Sequence, residues 1–261
     1  MSVKNVLLHN GLSFSQKCRF IGLFARTAFD KRFFETVKVI LGLLTTDHPV
    51  IVDIGANVGN FSKAVAKQSS RGCTILAIEP SIYVHSILAF FARGWSKGAA
   101  DVRCRKIALA EGNGEVTLQT PVKSSGSLRV GLAHIGKTRQ EIVFSETVPS
   151  TTLDEILQTE GLQNVHLVKL DVEGAEALVL KGAQRLFWDV RPLWFVEIDD
   201  CRAKSFGGSG MDLFGKFQAG GYRAFVFDDV NMLTEVEEPS ASADYLFVHR
   251  KSVLAQIRSE L

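Results

Sequence analysis

The sequence predicts an α/β fold: a doubly wound, mostly parallel seven-stranded sheet covered by helices on both faces, with a helical extension at the N-terminus. Two observations predict it. Seven short apolar runs rich in β-branched and aromatic residues recur between residues 50 and 250. Helical patterns lie between most of them. Strands alternating with helices imply parallel βαβ units with right-handed crossovers. A chain of 261 residues with 46% hydrophobic and 22% charged content suits one well-buried domain with elaborations. The expected division is a helical extension over 1–45, the main domain over 46–250 and a tail over 251–261.

The extension comes first. Lys17, Arg19, Arg26, Lys31, Arg32 and Lys38 alternate there with Phe20, Leu23, Phe24, Phe33, Phe34 and Val37 at helical spacing. Helices packed on the main domain with a basic solvated face are expected, and a basic amphipathic face is also compatible with peripheral contact with a membrane. "VKVILGLL" is too short to span a bilayer, and the N-terminus lacks a secretory pattern. The four cysteines, Cys18, Cys73, Cys104 and Cys201, form no C-x-x-C pair, so reduced thiols in a cytoplasmic protein are expected. A net charge of +2 is too mild for nucleic acid to be the expected partner.

Strands then follow at "VIVDIG" (50–55), "TILAIE" (74–79), "VRCRKIAL" (102–109), "HLVKLDV" (166–172), "LWFVEID" (193–199), "RAFVFD" (223–228) and "DYLFVHR" (244–250). Helices are expected near 59–68, 81–93, 152–160, 174–187 and 209–219. The alternation fails twice. "ALAEGNGEVTLQT" predicts a β-hairpin about Gly112-Asn113-Gly114, and the Gly/Ser-rich stretch over 121–140 predicts a long surface loop, of the kind that often serves as a lid. The acidic run Asp228, Asp229, Glu235, Glu237 and Glu238 reads as a solvated loop.

The first strand ends on Asp53 and passes at once into a tight turn and a helix N-terminus, whose free amides favour an anionic group. A dinucleotide site asks for G-x-G-x-x-G, but from Gly55 the later positions are Asn57 and Asn60. The pattern that fits is D-x-G-x-N-x-G: Asp53, Gly55, Asn57, Gly59. An acid at the strand end and an amide in the loop suit a ligand bearing both an ammonium and a carboxylate, such as the methionine part of S-adenosylmethionine. Glu79, twenty residues beyond Gly59, is placed to accept from ribose hydroxyls. Read blandly, Asp53 and Glu79 are polar strand ends.

Further on, alternation puts Leu167, Lys169 and Asp171 on one face, with Asp171 at the C-terminal edge where ligands bind in such sheets. Lys169 is near enough to orient Asp171 or hold it ionised. Asp171 and Glu197, ending successive strands, are the candidate bases, with Lys169 beside them. His85 and His134 are weaker candidates. Glu173 and Glu176 open a helix, where carboxylates are favoured whatever the function. Asp171, Glu173, Glu197, Asp199 and Asp200 gather carboxylates that suit magnesium, but no spacing is diagnostic and no metal ligand is assigned.

Together, "VDIGANVGNFS", "AIEP", "TTLDEIL", "HLVKLDVEGAEALVLKGA" and "PLWFVEID" resemble the FkbM-type methyltransferases from about residue 50 to about residue 200. K-x-D-x-E-G-A-E is the most specific part. The resemblance implies a Rossmann-like class I fold and S-adenosylmethionine-dependent methylation of a hydroxyl, on a sugar or secondary metabolite. It implies that Asp53, Gly55, Ala56, Asn57 and Gly59 line the methionine end of the cofactor, Glu79 its ribose, and Ala108 and Leu109 its adenine, with "SSGSL" (124–128) answering to a Ser-rich family segment. Two alternatives stay open: an NAD-linked oxidoreductase on the same layout, and a non-catalytic protein on a methyltransferase scaffold. The acceptor would be set by the first forty-odd residues, the 121–140 loop and the aromatics Trp188, Trp194, Phe206 and Tyr222.

Overall fold

The computed structural model describes residues 22, 27–96, 98–121, 134–135, 143–228 and 232–252. In chain order these form α1 (Phe34–Gly42), β1 (Val50–Ile54), α2 (Asn60–Gln68), β2 (Cys73–Ile78), α3 (Ile82–Trp95), β3 (Ala100–Arg105), β4 (Ala108–Leu109), β5 (Gly114–Pro121), β6 (His134–Ile135), β7 (Val143–Thr151), α4 (Leu153–Thr159), β8 (Leu167–Leu170), α5 (Glu176–Lys181), a π-helical turn (Leu186–Val190), β9 (Leu193–Asp199), α6 (Asp200–Lys204), α7 (Gly210–Ala219), β10 (Tyr222–Phe227), β11 (Leu233–Val236) and β12 (Ser242–His249). Thr27–Phe29 form one further helical turn. Among the described residues, no helix is long and apolar enough to cross a membrane.

The main sheet runs β11-β10-β12-β9-β8-β1-β2-β3. The five strands from β9 to β3 are mutually parallel, and β12, β10 and β11 add antiparallel pairings at the other edge. Parallel strands are covered on both faces, as their continuous apolar runs require. On one face Val52, Ile54, Val168, Trp194 and Val196 pack with Leu153 and Leu157 of α4 and Phe214 and Phe217 of α7. On the other, Ile51, Ile75, Leu167 and Phe195 pack with Val37 and Ile40 of α1 and Phe61 and Val65 of α2. The described part of the N-terminal extension therefore belongs to the core.

The sheet has eight strands where seven were expected. The eighth, β11, lies in the acidic run read as a loop, and its backbone pairs with β10 while Glu235 turns out to meet Arg223. An edge strand tolerates outward charges that would bar a central one. The single strand expected over 102–109 divides in two. Its partner β2 ends at Ile78, opposite Arg105, so the chain has no ladder to follow, and Ala108–Leu109 pair instead with Ser150–Thr151 of β7. The hairpin expected about Gly112-Asn113-Gly114 is likewise replaced, because β7 lies between β4 and β5 in a separate four-stranded sheet, β4-β7-β5-β6. β5 and β7 run antiparallel over eight residue pairs, Gly114–Ser150 to Pro121–Val143.

The helix expected over 174–187 also breaks. Asp154 accepts from the amides of Arg185 (2.7 Å) and Leu186 (3.0 Å) and so starts a new helical turn there. Most of the 121–140 loop, including 124–128, lies outside the described residues, which here show Pro121 at the end of β5 and the strand His134–Ile135.

Candidate active site

The turn after β1 is held from both sides. The amides of Gly55 and Ala56 donate to Ile78 O, that of Asn57 to Glu79 Oε2 (2.9 Å), and Asn57 Oδ1 accepts from Val58 N (2.8 Å). Gly55 has φ +70°, and a Cβ there would lie 1.7 Å from the carbonyl oxygen of Asp171, so only glycine allows the loops after β1 and β8 to touch. Gly59 (φ +88°) has a different task, letting α2 seat against Leu88 and Trp95. Asp53 is fully buried. Its Oδ2 accepts from Ser62 N (3.1 Å) and Ser62 Oγ (2.6 Å), bracing the first turn of α2, while Oδ1 has no hydrogen-bond partner.

Lys169 stands opposite Asp53 in the β1–β8 register and is 5% exposed. Its Nζ donates to Asp171 Oδ2 (2.8 Å), lies 3.8 Å from Asp53 Oδ1 and sits 5.9 Å from the centre of the Phe33 ring. Burial opposes its charge, but Asp171 and Asp53 together raise its pKa well above the lysine range. Burial pushes Asp53 up, with Lys169 and Ser62 pulling it back. For Asp171 the balance falls the other way: against burial, the charge and hydrogen bond of Lys169 hold the carboxyl below its usual range.

Asp171 also shares a hydrogen bond with Glu197, whose pKa is pushed to about 8 by burial and then by the charge of Asp171. One proton therefore belongs to this pair near neutral pH, with Asp171 the ionised member. Two neighbouring carboxyls with pKa values driven apart are the usual ground for assigning acid–base roles. Arg202 flanks them, 2.7 Å from Glu197, 2.9 Å from Glu173 and 3.8 Å from Asp199, while Lys204 takes Asp200. Four of the five carboxylates read as suiting magnesium are thus in ion pairs with Arg202 or Lys204, and the fifth, Asp171, pairs with Lys169. Among the described residues, no three His, Cys, Asp or Glu groups are arranged to hold a metal ion.

Two adjoining cavities open at this edge of the sheet. One, of about 360 Å³, is bordered by Gly55, Ala56, Asn57 and the first turn of α2. The other, of about 250 Å³, is bordered by Thr36, Phe195 and Asp244. Arg32, Phe33, Lys169, Asp171 and Glu197 line both, so the proton-sharing pair stands at their junction. The wall carrying Arg32 and Phe33 is pinned by α2. Lys63 Nζ donates to the carbonyls of Thr27 (3.0 Å), Ala28 (2.8 Å) and Asp30 (2.9 Å), Asn60 donates to Asp30 Oδ2 (2.9 Å), and Phe33 packs edge-on against Phe61.

The structure therefore brings Gly55, Ala56, Asn57, Lys169, Asp171 and Glu197 onto cavity walls, with Asp53 and Gly59 supporting the turn from behind. Glu79, Ala108 and Leu109 border neither cavity. Glu79 is 7% exposed and spends both oxygens on the amides of Asn57 and Ser81 (2.9 Å each); burial lifts its pKa to about 7 against those bonds. Ala108 and Leu109 lie in the second sheet, not at the end of the third strand. Glu176 accepts from Val172 and Gly174 and closes the loop after β8. His85 is partly buried in α3, with Nε2 unpartnered and its pKa lowered to about 4 by burial and nearby cations.

Trp194 and Tyr222, expected at an acceptor rim, are fully buried core residues, and Trp188 and Phe206 border neither cavity. The aromatic residues at the cavities are Phe33, Phe61 and Phe195. Sequence reasoning also passed over Arg32, Lys63, Arg202 and Asp244. Alternation along "SADYLFVH" could have found Asp244, because it shares a face with the core residues Leu246 and Val248.

Comparison with known proteins bears on this arrangement. The model of the methyltransferase FkbM domain matches residues 53–236. Methyltransferase 1 of Beauveria bassiana (strain ARSEF 2860) is 28% identical over 167 residues, 60% of this chain and 67% of that protein. Methyltransferase sdnD of Sordaria araneosa is 25% identical over 166 residues, 55% of this chain and 63% of that protein. The crystal structure of methyltransferase FkbM from Methylobacillus flagellatus KT superposes with a TM-score of 0.53 at 16% identity, covering 83% of this chain. This chain spans 48% of that one, and at such low identity the likeness shows the fold alone. With the domain match taking in the turn after β1, the acid pair and the strands β8 and β9 that carry it, the chain belongs to the FkbM methyltransferase family.

Proposed function

We infer that this chain is an S-adenosylmethionine-dependent methyltransferase acting on a hydroxyl oxygen of a sugar or secondary metabolite. The observation that carries the reading is the junction: Lys169, Asp171 and Glu197 line both cavities. The first cavity suits the methionine end of the donor. It borders the first turn of α2, where amide groups favour a carboxylate, and behind it the buried Asp53 braces that turn through Ser62. Bound there, S-adenosylmethionine supplies a sulfonium methyl that is already an activated electrophile.

The chain's own residues then have to align a hydroxyl and take its proton. Asp171, held ionised and fixed in place by Lys169, accepts from the hydroxyl. Glu197 holds the proton that the pair already shares, so uptake of a second neutralises both carboxyls beside Lys169 and Arg202. Phe33 and Phe195 exclude water from the far wall of the second cavity.

Calorimetric titration with S-adenosylhomocysteine, beside NAD and NADH, tests the donor half. Saturable binding of S-adenosylhomocysteine alone, weakened in Asp53→Ala, is expected. Binding of NAD instead would overturn the reading in favour of an oxidoreductase. Cofactor binding without transfer of labelled methyl to any hydroxyl compound would leave a scaffold without this chemistry.

A further inference from the structure

We propose that Asp244 is a specificity-determining residue that accepts from a second hydroxyl of the acceptor, one ring carbon removed from the one at Asp171, so that the acceptor is a 1,3-diol. The proposal rests on the reading of the second cavity as the acceptor's, and deepens it.

The register makes the case. Asp244 lies directly opposite Glu197 in the antiparallel β9–β12 pair, and Phe195, two residues before Glu197, lies opposite Lys169, two residues before Asp171. Asp171, Glu197 and Asp244 therefore stand in one row across three neighbouring strands, on the face that carries Lys169 and Phe195. Neighbouring strands are about 4.8 Å apart, so two carboxylates flank the shared proton of Glu197 at about that spacing on each side. Asp171 and Asp244, the two ends of the row, are then about 10 Å apart, too far for adjacent ring hydroxyls to reach both. A hydroxyl held by Asp171 leaves the 1,3-related ring hydroxyl pointing along the row toward Asp244, each within an ordinary ~2.8 Å hydrogen bond of its carboxylate.

Asp244 has no fold-level employment. Among the described residues its carboxylate has neither a hydrogen bond nor an ion pair, unlike Asp53, Asp171, Glu173, Glu197, Asp199 and Asp200. It stays solvent-exposed at the cavity rim. Acidic residues directly opposite on antiparallel strands oppose pairing; here the field of Lys169 and the pairing of Glu197 with Arg202 offset this in part, but neither gives the Asp244 carboxylate a hydrogen bond. A lone carboxylate can take an ammonium as well as a hydroxyl. The same cavity is lined by Arg32 and Lys169, however, and both disfavour a cationic acceptor group.

The test uses cis- and trans-1,3-cyclohexanediol, cyclohexanol and cis-3-aminocyclohexanol as probes, on wild type, Asp244→Asn and Asp244→Ala. Binding is read by saturation-transfer NMR with and without S-adenosylhomocysteine, and transfer by labelled methyl from S-adenosylmethionine. Either diol is expected to bind at least tenfold more tightly than cyclohexanol to wild type. That preference should collapse toward one in Asp244→Ala and survive in part in Asp244→Asn, with S-adenosylhomocysteine affinity within twofold as the check on folding. Diol-selective, Asp244-dependent binding with no methyl transfer would support the subsite and overturn only the reaction. Equal binding of diol and cyclohexanol, a preference unchanged in Asp244→Ala, or tighter binding of the amino alcohol would each overturn the proposal, whether or not methyl is transferred.

Discussion

Replacing Lys169 with methionine keeps the length and packing of the side chain and deletes only the charge between two carboxylates. At an effective dielectric of about 20, the Lys169–Asp171 pair at 2.8 Å is worth about 6 kcal/mol and the Lys169–Asp53 pair at 3.8 Å about 4 kcal/mol. The ammonium loses several kcal/mol of hydration on burial, so the net loss is expected to be about 3–5 kcal/mol, the range for breaking a buried pair. Asp171, 30% exposed, recovers part of its share from water; Asp53, fully buried, recovers none. The sign with pH follows. In the variant both acids have folded pKa values raised above their unfolded ones, so the folded state holds extra protons and the variant loses stability as pH rises. Urea unfolding at pH 7.5 and pH 5.0 measures this: the full deficit is expected at pH 7.5, and about half or less at pH 5.0. A deficit below about 1 kcal/mol, or one equal at the two pH values, would refute the buried-pair reasoning.

Two further outcomes follow from the same geometry. Glu197 has a folded pKa of about 8 against 4.5 unfolded, so its contribution to stability is complete below pH 4.5 and lost as pH rises toward 8. Glu197→Gln, which still donates to Asp171, should flatten the fall in urea midpoint between pH 5 and 8; parallel curves for the two proteins would place the shared proton elsewhere. Gly55→Ala forces a methyl within 1.7 Å of the Asp171 carbonyl and should abolish S-adenosylhomocysteine binding while lowering the melting temperature; calorimetry showing affinity within threefold of wild type would mean that the two loops can part.

The turn after β1 and the Lys169–Asp171 pair were legible because they are written in adjacent residues. Asp53, Gly55 and Asn57 fall within one turn, and Lys169 and Asp171 within one strand end, so periodicity alone brings them together. What the sequence did not disclose depends on which strands become neighbours. Asp244 joins Asp171 only through the order β12-β9-β8, and Arg202 meets Glu173 only because α6 folds back over the loop after β8. Hydrophobicity misled in the same way at Trp194 and Tyr222, whose size suggested ligand stacking but whose places on β9 and β10 bury them under α7. The acidic β11 and the divided β3–β4 failed for want of a known partner strand, since local pattern reports a tendency to extend and not what the chain extends against.

The second cavity takes its wall from residues 32–36 and its rim from Asp244, and both lie outside the stretch 53–236 that defines family membership. The shared domain thus supplies Lys169, Asp171, Phe195 and Glu197 to this cavity, while the two flanks of the chain supply Arg32, Phe33, Thr36 and Asp244. Lys63, from inside the domain, anchors one flank by its carbonyls alone, a grip indifferent to side-chain identity. Drift at Arg32 and Thr36, whose side chains the described contacts with α2 do not use, can therefore reshape the cavity without loosening that grip, and an enzyme could change its target while its diagnostic motifs stay the same.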